Sequence, residues 1–166
     1  MGYDAAIARL PLTAIIDLRG PAAKAAVLLG EALLPVPSGC NRCADGNAAA
    51  VLHVGPAHWL VLAPLSREAE LMAALVPKDG DICVTLVSDA YSGFAISGPA
   101  AADVLAQATP LDFHASAFPP DGASFTELFS HKALLRRRGE GFECWVDSTY
   151  GDYMADFLSR CGGRMI

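Results

Sequence analysis

Cys40-Asn41-Arg42-Cys43 is a CxxC, the first pattern in the chain that could do chemistry. Two thiolates at this spacing can fill two corners of a tetrahedral zinc site or exchange electrons as a dithiol. A structural zinc takes four ligands, and Cys83, Cys144 and Cys161 are scattered, with no second pair. A redox CxxC normally opens a helix, whose N-terminus lowers the thiol pKa. This one falls within residues 35–48, a run of turn-forming residues that reads as a loop. The expectation is loop cysteines with neither a metal nor a redox role.

The histidines do not cluster. His53 and His58 flank the Gly55-Pro56 turn and could approach across a hairpin, but no third ligand is evident. His58 stands beside Trp59 and reads as a surface or interface residue, and His114 and His131 are isolated. The Ser97-Gly98 pair fails the Gly-x-Ser-x-Gly nucleophile elbow, because Ala95 occupies the first glycine position. No phosphate-binding Gly-x-x-x-x-Gly-Lys-Ser/Thr loop is present. Gly139-Glu140-Gly141 is a hairpin turn rather than a dinucleotide fingerprint, since Cys144 stands where the third glycine belongs. Asp112, between Leu111 and Phe113, is the one carboxylate in an apolar setting. It either has a perturbed pKa or brackets a turn. No residue is expected to be catalytic.

Composition points the same way. Charged residues make up 18% of the chain and hydrophobic residues 53%, with mean hydropathy +0.35, against about one quarter charged in an average domain. Either the core is unusually large or a partner covers apolar surface. A net charge of −6 argues against a nucleic-acid partner. The basic run Arg136-Arg137-Arg138 precedes the Gly139-Glu140-Gly141 turn and belongs to a strand end. No segment reaches the roughly 18–20 apolar residues of a membrane helix. The N-terminus shows no basic region followed by an apolar stretch, so no signal peptide is expected. Five cysteines, an odd number, suit reduced thiols and a cytoplasmic setting.

The elements that must position these residues follow from periodicity. Residues 13–19 predict a strand, and Pro21 then opens a helix over 21–33 that is apolar nearly all round and so buried on more than one side. Residues 49–54 and 58–63 predict a hairpin about Gly55-Pro56. Ser66 caps a helix over 67–76, with Glu68 and Glu70 in its first turn. Residues 82–87 and 91–97 predict strands joined at Ser88-Asp89-Ala90, and Pro99 opens a helix to Gln107. Residues 125–137 and 142–147 predict a second hairpin. In the last helix, 150–161, Tyr150, Tyr153, Met154, Phe157, Leu158 and Cys161 fall on one stripe and predict a core-facing surface.

One phrase recurs. Asp17-Leu18-Arg19-Gly20-Pro21-Ala22-Ala23 is echoed by Ala95-Ile96-Ser97-Gly98-Pro99-Ala100-Ala101, a step of 78 residues in a chain of 166. In each copy a strand ends in Gly-Pro-Ala-Ala and a helix begins. The chain therefore predicts one domain over 1–166, built of two pseudo-repeat halves, about 10–78 and 80–161. Each half follows the split β-α-β, ferredoxin-like order, giving an α+β fold.

Residues 88–100, Ser-Asp-Ala-Tyr-Ser-Gly-Phe-Ala-Ile-Ser-Gly-Pro-Ala, continue through Val104-Leu105 to Leu111-Asp112. This stretch resembles the core of the sarcosine oxidase gamma subunit family. Gly55-Pro56-Ala57-His58-Trp59-Leu60 resembles that family's hairpin, and Phe118-Pro119 with Gly122 and Thr126 its later loop. Thr149-Tyr150-Gly151-Asp152-Tyr153, ending in Phe157-Leu158, resembles its final helix. The likeness covers residues 10–160 and rests on the order and spacing of the motifs. The chain departs from the pattern at Ser148 and Phe125.

The resemblance implies a fold similar to the folate-binding domain of the glycine-cleavage T-protein, an aminomethyltransferase. It implies a non-catalytic accessory subunit that binds the large alpha subunit, with beta and delta subunits completing the assembly. FAD, FMN, NAD and tetrahydrofolate are then expected on the larger subunits, in an assembly that demethylates sarcosine to glycine. The expected contact residues are Trp59 and Trp145, taken as exposed aromatics near turns, and Arg136, Arg137 and Arg138; core packing is the other reading of both tryptophans. The alternatives are a free-standing folate-dependent one-carbon transferase, with Asp112 as the carboxylate for the pterin, or a non-enzymatic interaction module.

Overall fold

The computed structural model describes residues 3–47, 49–78, 80–161 and 164–166. The chain divides into two compact units, one of residues 12–88 and one of residues 1–11 with 89–166. The opening strand β1 (Ala6–Arg9) thus belongs to the C-terminal unit. This boundary differs from the expected halves.

In the 12–88 unit, β2 (Thr13–Arg19) leads through Gly20-Pro21 into α1 (Ala22–Glu31). Then come β3 (Arg42–Asp45), β4 (Ala50–Gly55), β5 (His58–Pro64), α2 (Glu68–Ala74) and β6 (Cys83–Leu86). The sheet order is β3-β4-β5-β2-β6. Without β3 this is the ferredoxin-like order, with both helices on one face. Alternation along the strands sends Ala14, Ile16, Leu18, Trp59 and Val61 toward the helices, where Leu28, Leu29 and Leu71 meet them. Ile15, Leu60 and Leu62 point the other way and are buried as well. Burial on both faces accounts for strands that read as continuous apolar runs and for much of the high hydrophobic content.

The other unit repeats the plan. β7 (Tyr91–Ser97) leads through Gly98-Pro99 into α3 (Ala101–Ala106), followed by β8 (Ala123–Leu128), β9 (His131–Arg138), β10 (Gly141–Asp147), α4 (Gly151–Arg160) and β11 (Arg164–Met165). The sheet order is β11-β1-β7-β10-β9-β8. Ile7, Phe94, Ile96, Phe142 and Cys144 face Val104, Leu105, Met154 and Leu158 of the helices. Here the position beside β7, which β6 holds beside β2, is filled antiparallel by β1 from the chain's start. The strand after α4 is displaced to the outer edge, parallel to β1.

The repeated corner has a steric origin. Gly20 has φ 154°, and a Cβ there would lie 2.5 Å from the Asp81 carbonyl oxygen, just before β6. Gly98 has φ 102°, and a Cβ there would lie 2.7 Å from the Asp4 carbonyl oxygen, just before β1. Both glycines let the neighbouring strand, β6 or β1, enter against the corner.

Several expectations are corrected. Residues 42–45 are not loop but the edge strand β3, held by pairing with β4. Residues 125–137 are two strands, because Phe129 and Ser130, at φ 48° and 67°, form a two-residue turn between the paired Leu128 and His131. That geometry usually takes Asn-Gly, so the sequence carries no signal for it. Ser66 caps no helix; it lies in a 3₁₀ turn that precedes α2. The stripe of α4 is only half buried: Met154 and Leu158 enter the core, while Tyr150 and Tyr153 face solvent.

Candidate partner-binding surface

Strand parity decides where the expected site residues go. His58 and Trp59 are neighbours on β5, so they point to opposite faces. Trp59 turns to the helices, is 3% exposed and stacks on His53 with ring centroids 4.5 Å apart. His58 turns the other way, and its Nε2 lies 3.0 Å from Asp17 Oδ2. The two histidines are thus parted by the sheet rather than brought together. Arg19 donates to both oxygens of Asp17, from Nε at 2.9 Å and Nη2 at 3.0 Å. Burial raises the Asp17 pKa, but the hydrogen bonds and charges of His58 and Arg19 outweigh it and hold the carboxyl at about 2.

Trp145 is 2% exposed and packs over Gly93, its partner across the β10–β7 ladder. The expected exposure of both tryptophans is therefore corrected: Trp59 lies in the core of its unit, and Trp145 is buried on the face of its sheet turned from the helices. Arg136 is 7% exposed, and its guanidinium holds Glu143 across the β9–β10 ladder at 2.5 Å while lying 5.6 Å from the Trp145 ring centre. Arg137 donates to the carbonyls of Phe118 at 3.1 Å and Phe113 at 2.7 Å, tying down the loop before β8. Arg138 is the exposed member of the run.

Asp112 is exposed, not set in apolar surroundings, and its Oδ1 accepts the His114 amide at 2.8 Å. It brackets a turn. Cys40 is exposed and Cys43 is buried on β3; all five cysteines are free thiols. Burial pushes the Cys144 thiol up to about 12, so it is an inert core group. Among the described residues no group of three His, Cys, Asp or Glu is placed to hold a metal, and no helix is long and apolar enough to cross a membrane.

The surface that stands out was missed from sequence. α1 was expected to be buried on more than one side, yet Val27 is 61% exposed and Leu33, just past its end, 92%. Beside Val27 lies a groove of about 270 Å³ whose apolar lining is Ala23, Val27, Leu28, Pro77 and Ile82. Its rim carries two ion pairs, Lys24 with Asp81 and Lys78 with Glu31. Val36 and Val76 are exposed as well. The signal was present: a helix with so few polar positions must leave apolar side chains in water once one face is packed.

A family model described as "Sarcosine oxidase, gamma subunit family" matches residues 16–162. Sarcosine oxidase subunit gamma from Corynebacterium sp. (strain P-1) is 41% identical over 93 residues, covering 55% of this chain and 45% of that relative. The chain spans about half the length of the curated relatives it matches. Among solved structures, heterotetrameric sarcosine oxidase from Corynebacterium sp. U-96 in complex with pyrrole 2-carboxylate is similar with a TM-score of 0.82 at 23% identity, over 95% of this chain and 83% of that one. Glycine cleavage system aminomethyltransferase T from Bartonella henselae is similar with a TM-score of 0.71 at 16% identity, over 99% of this chain and 48% of that one. At such identities the two structures show the fold: α+β, of the aminomethyltransferase type.

Proposed function

Since the chain belongs to the sarcosine oxidase gamma subunit family, we propose that it serves as the accessory gamma subunit of a heterotetrameric sarcosine oxidase. In this reading it takes no direct part in the demethylation of sarcosine to glycine. The flavins, NAD and tetrahydrofolate belong to the larger subunits. The chain's task is to bind the large alpha subunit and support its folded, assembled state, with beta and delta subunits alongside.

The observation that carries this reading is the apolar face of α1. Val27 and Leu33 lie outside their own unit's core and leave most of their area in water. An apolar centre rimmed by charged pairs is the anatomy of a subunit interface. Arg138, exposed at the β9–β10 turn, remains a proposed contact residue. Arg136 and Arg137 support the reading only indirectly, because they hold Glu143 and the loop carbonyls.

A folate-binding role for the chain itself rests on Asp112 and finds no support there. The carboxylate is exposed, and one of its oxygens already accepts the His114 amide. The experiment that tests the accessory role is co-expression with the other oxidase subunits, followed by co-purification.

A further inference from the structure

We propose that the C-terminal unit carries a binding pocket for a small zwitterion, an α-amino acid, held between Lys132 and Asp147. The proposal goes beyond the accessory role and does not depend on it. The cavity measures about 280 Å³ and is lined by Ala90, Tyr91, Phe125, Lys132, Asp147 and Tyr150. Its position follows from the sheet. Phe125 and Lys132 project from the same face of the β8–β9 pair, with Lys132 Nζ 4.2 Å from the Phe125 ring centre. Asp147 and Tyr91 are register partners where β10 meets β7, and Tyr150 follows in the 3₁₀ turn that leads into α4.

Two opposite charges line this cavity without pairing with each other. Among the described residues Lys132 makes no ion pair; its partner is the Phe125 ring. Asp147 Oδ1 accepts the Thr149 backbone N–H at 2.9 Å and its hydroxyl at 2.6 Å, and Oδ2 takes neither bond. These bonds fix the carboxylate's orientation and lower its pKa, so it is an anion at neutral pH. A lone anion in the cavity would gain Lys132 but be repelled by Asp147, and a lone cation would meet the reverse. A molecule carrying both charges satisfies both groups. The Phe125 ring is taken by Lys132 and the Tyr150 ring stacks on His131, so the aromatic lining supplies apolar contact to a small side chain while Asp147 receives the ammonium.

The test uses the purified full chain and saturation-transfer NMR. Glycine, L-alanine and L-phenylalanine are titrated, with acetate and methylammonium as single-charge controls. The expected result is saturable binding of at least one amino acid and none of either control. Lys132→Met and Asp147→Asn each weaken that binding at least about tenfold, the scale of a lost charge-assisted hydrogen bond. Asparagine still caps the turn, so Asp147→Asn keeps the fold. Should it fail to fold, the exposed Lys132→Met carries the test alone. Absence of saturable binding by all three amino acids, equal binding of a control, or unchanged binding by the folded variants would each overturn the proposal.

Discussion

His58 and Asp17 face each other across the β5–β2 ladder, with Nε2 and Oδ2 3.0 Å apart, and Arg19 closes on the same carboxylate from its own strand. The carboxyl is held at about 2, below its ordinary 3.8. A folded-state pKa below the unfolded one means that the ion contributes stability above pH 4, and that this contribution fades as pH falls toward 2. The difference corresponds to about 2 kcal/mol. Asp17→Asn should therefore be less stable than wild type by about this amount at pH 7. The two should converge by pH 2. Thermal melts across this range check it, and parallel curves would remove the charge account.

The corner glycines yield a matched pair of predictions. Gly98→Ala and Gly20→Ala each place a Cβ against a backbone carbonyl at a φ that L-residues rarely adopt. Each should cost about 1–3 kcal/mol, the scale of local backbone strain. Denaturant melts of both variants check this, and a neutral change at either corner would mean that the entering strand shifts freely.

Arg136 and Glu143 form a largely buried pair beside the Trp145 ring. Arg136→Leu leaves Glu143 without its cation and should destabilise by about 3–5 kcal/mol. Arg136→Leu with Glu143→Leu should recover a large part of that loss, because no unpaired charge remains. A double variant as unstable as the single one would show that the packing around Trp145, not the charge, sets the cost.

Much of the fold was legible because its signals are local. The Gly-Pro corners, the hairpin turns at Gly55-Pro56 and Gly139-Glu140, and the period of α4 all appear where the sequence puts them. What was not legible depends on partners distant in the chain. β1 is a short strand that exists because β7 offers an edge, and β3 exists because β4 does. The Phe129-Ser130 turn lacks any turn-forming residue pair. The expected exposure of the two tryptophans failed for a similar reason. Trp59 and Trp145 sit near turns in sequence, but parity and the neighbouring strands bury them. Periodicity marks a stripe without saying how far the core extends along it, so Tyr150 and Tyr153 read as core although only Met154 and Leu158 enter it.

The central claim is that the chain works as a subunit, through surface such as the α1 face. The direct measurement is co-expression of the tagged chain with the other sarcosine oxidase subunits, with the purified material resolved by size-exclusion chromatography. The account predicts that the chain co-elutes with the large subunit, and that Val27→Asp weakens the complex while leaving the chain folded. A wild-type chain that elutes alone, with the remaining subunits assembled and active without it, would contradict the account.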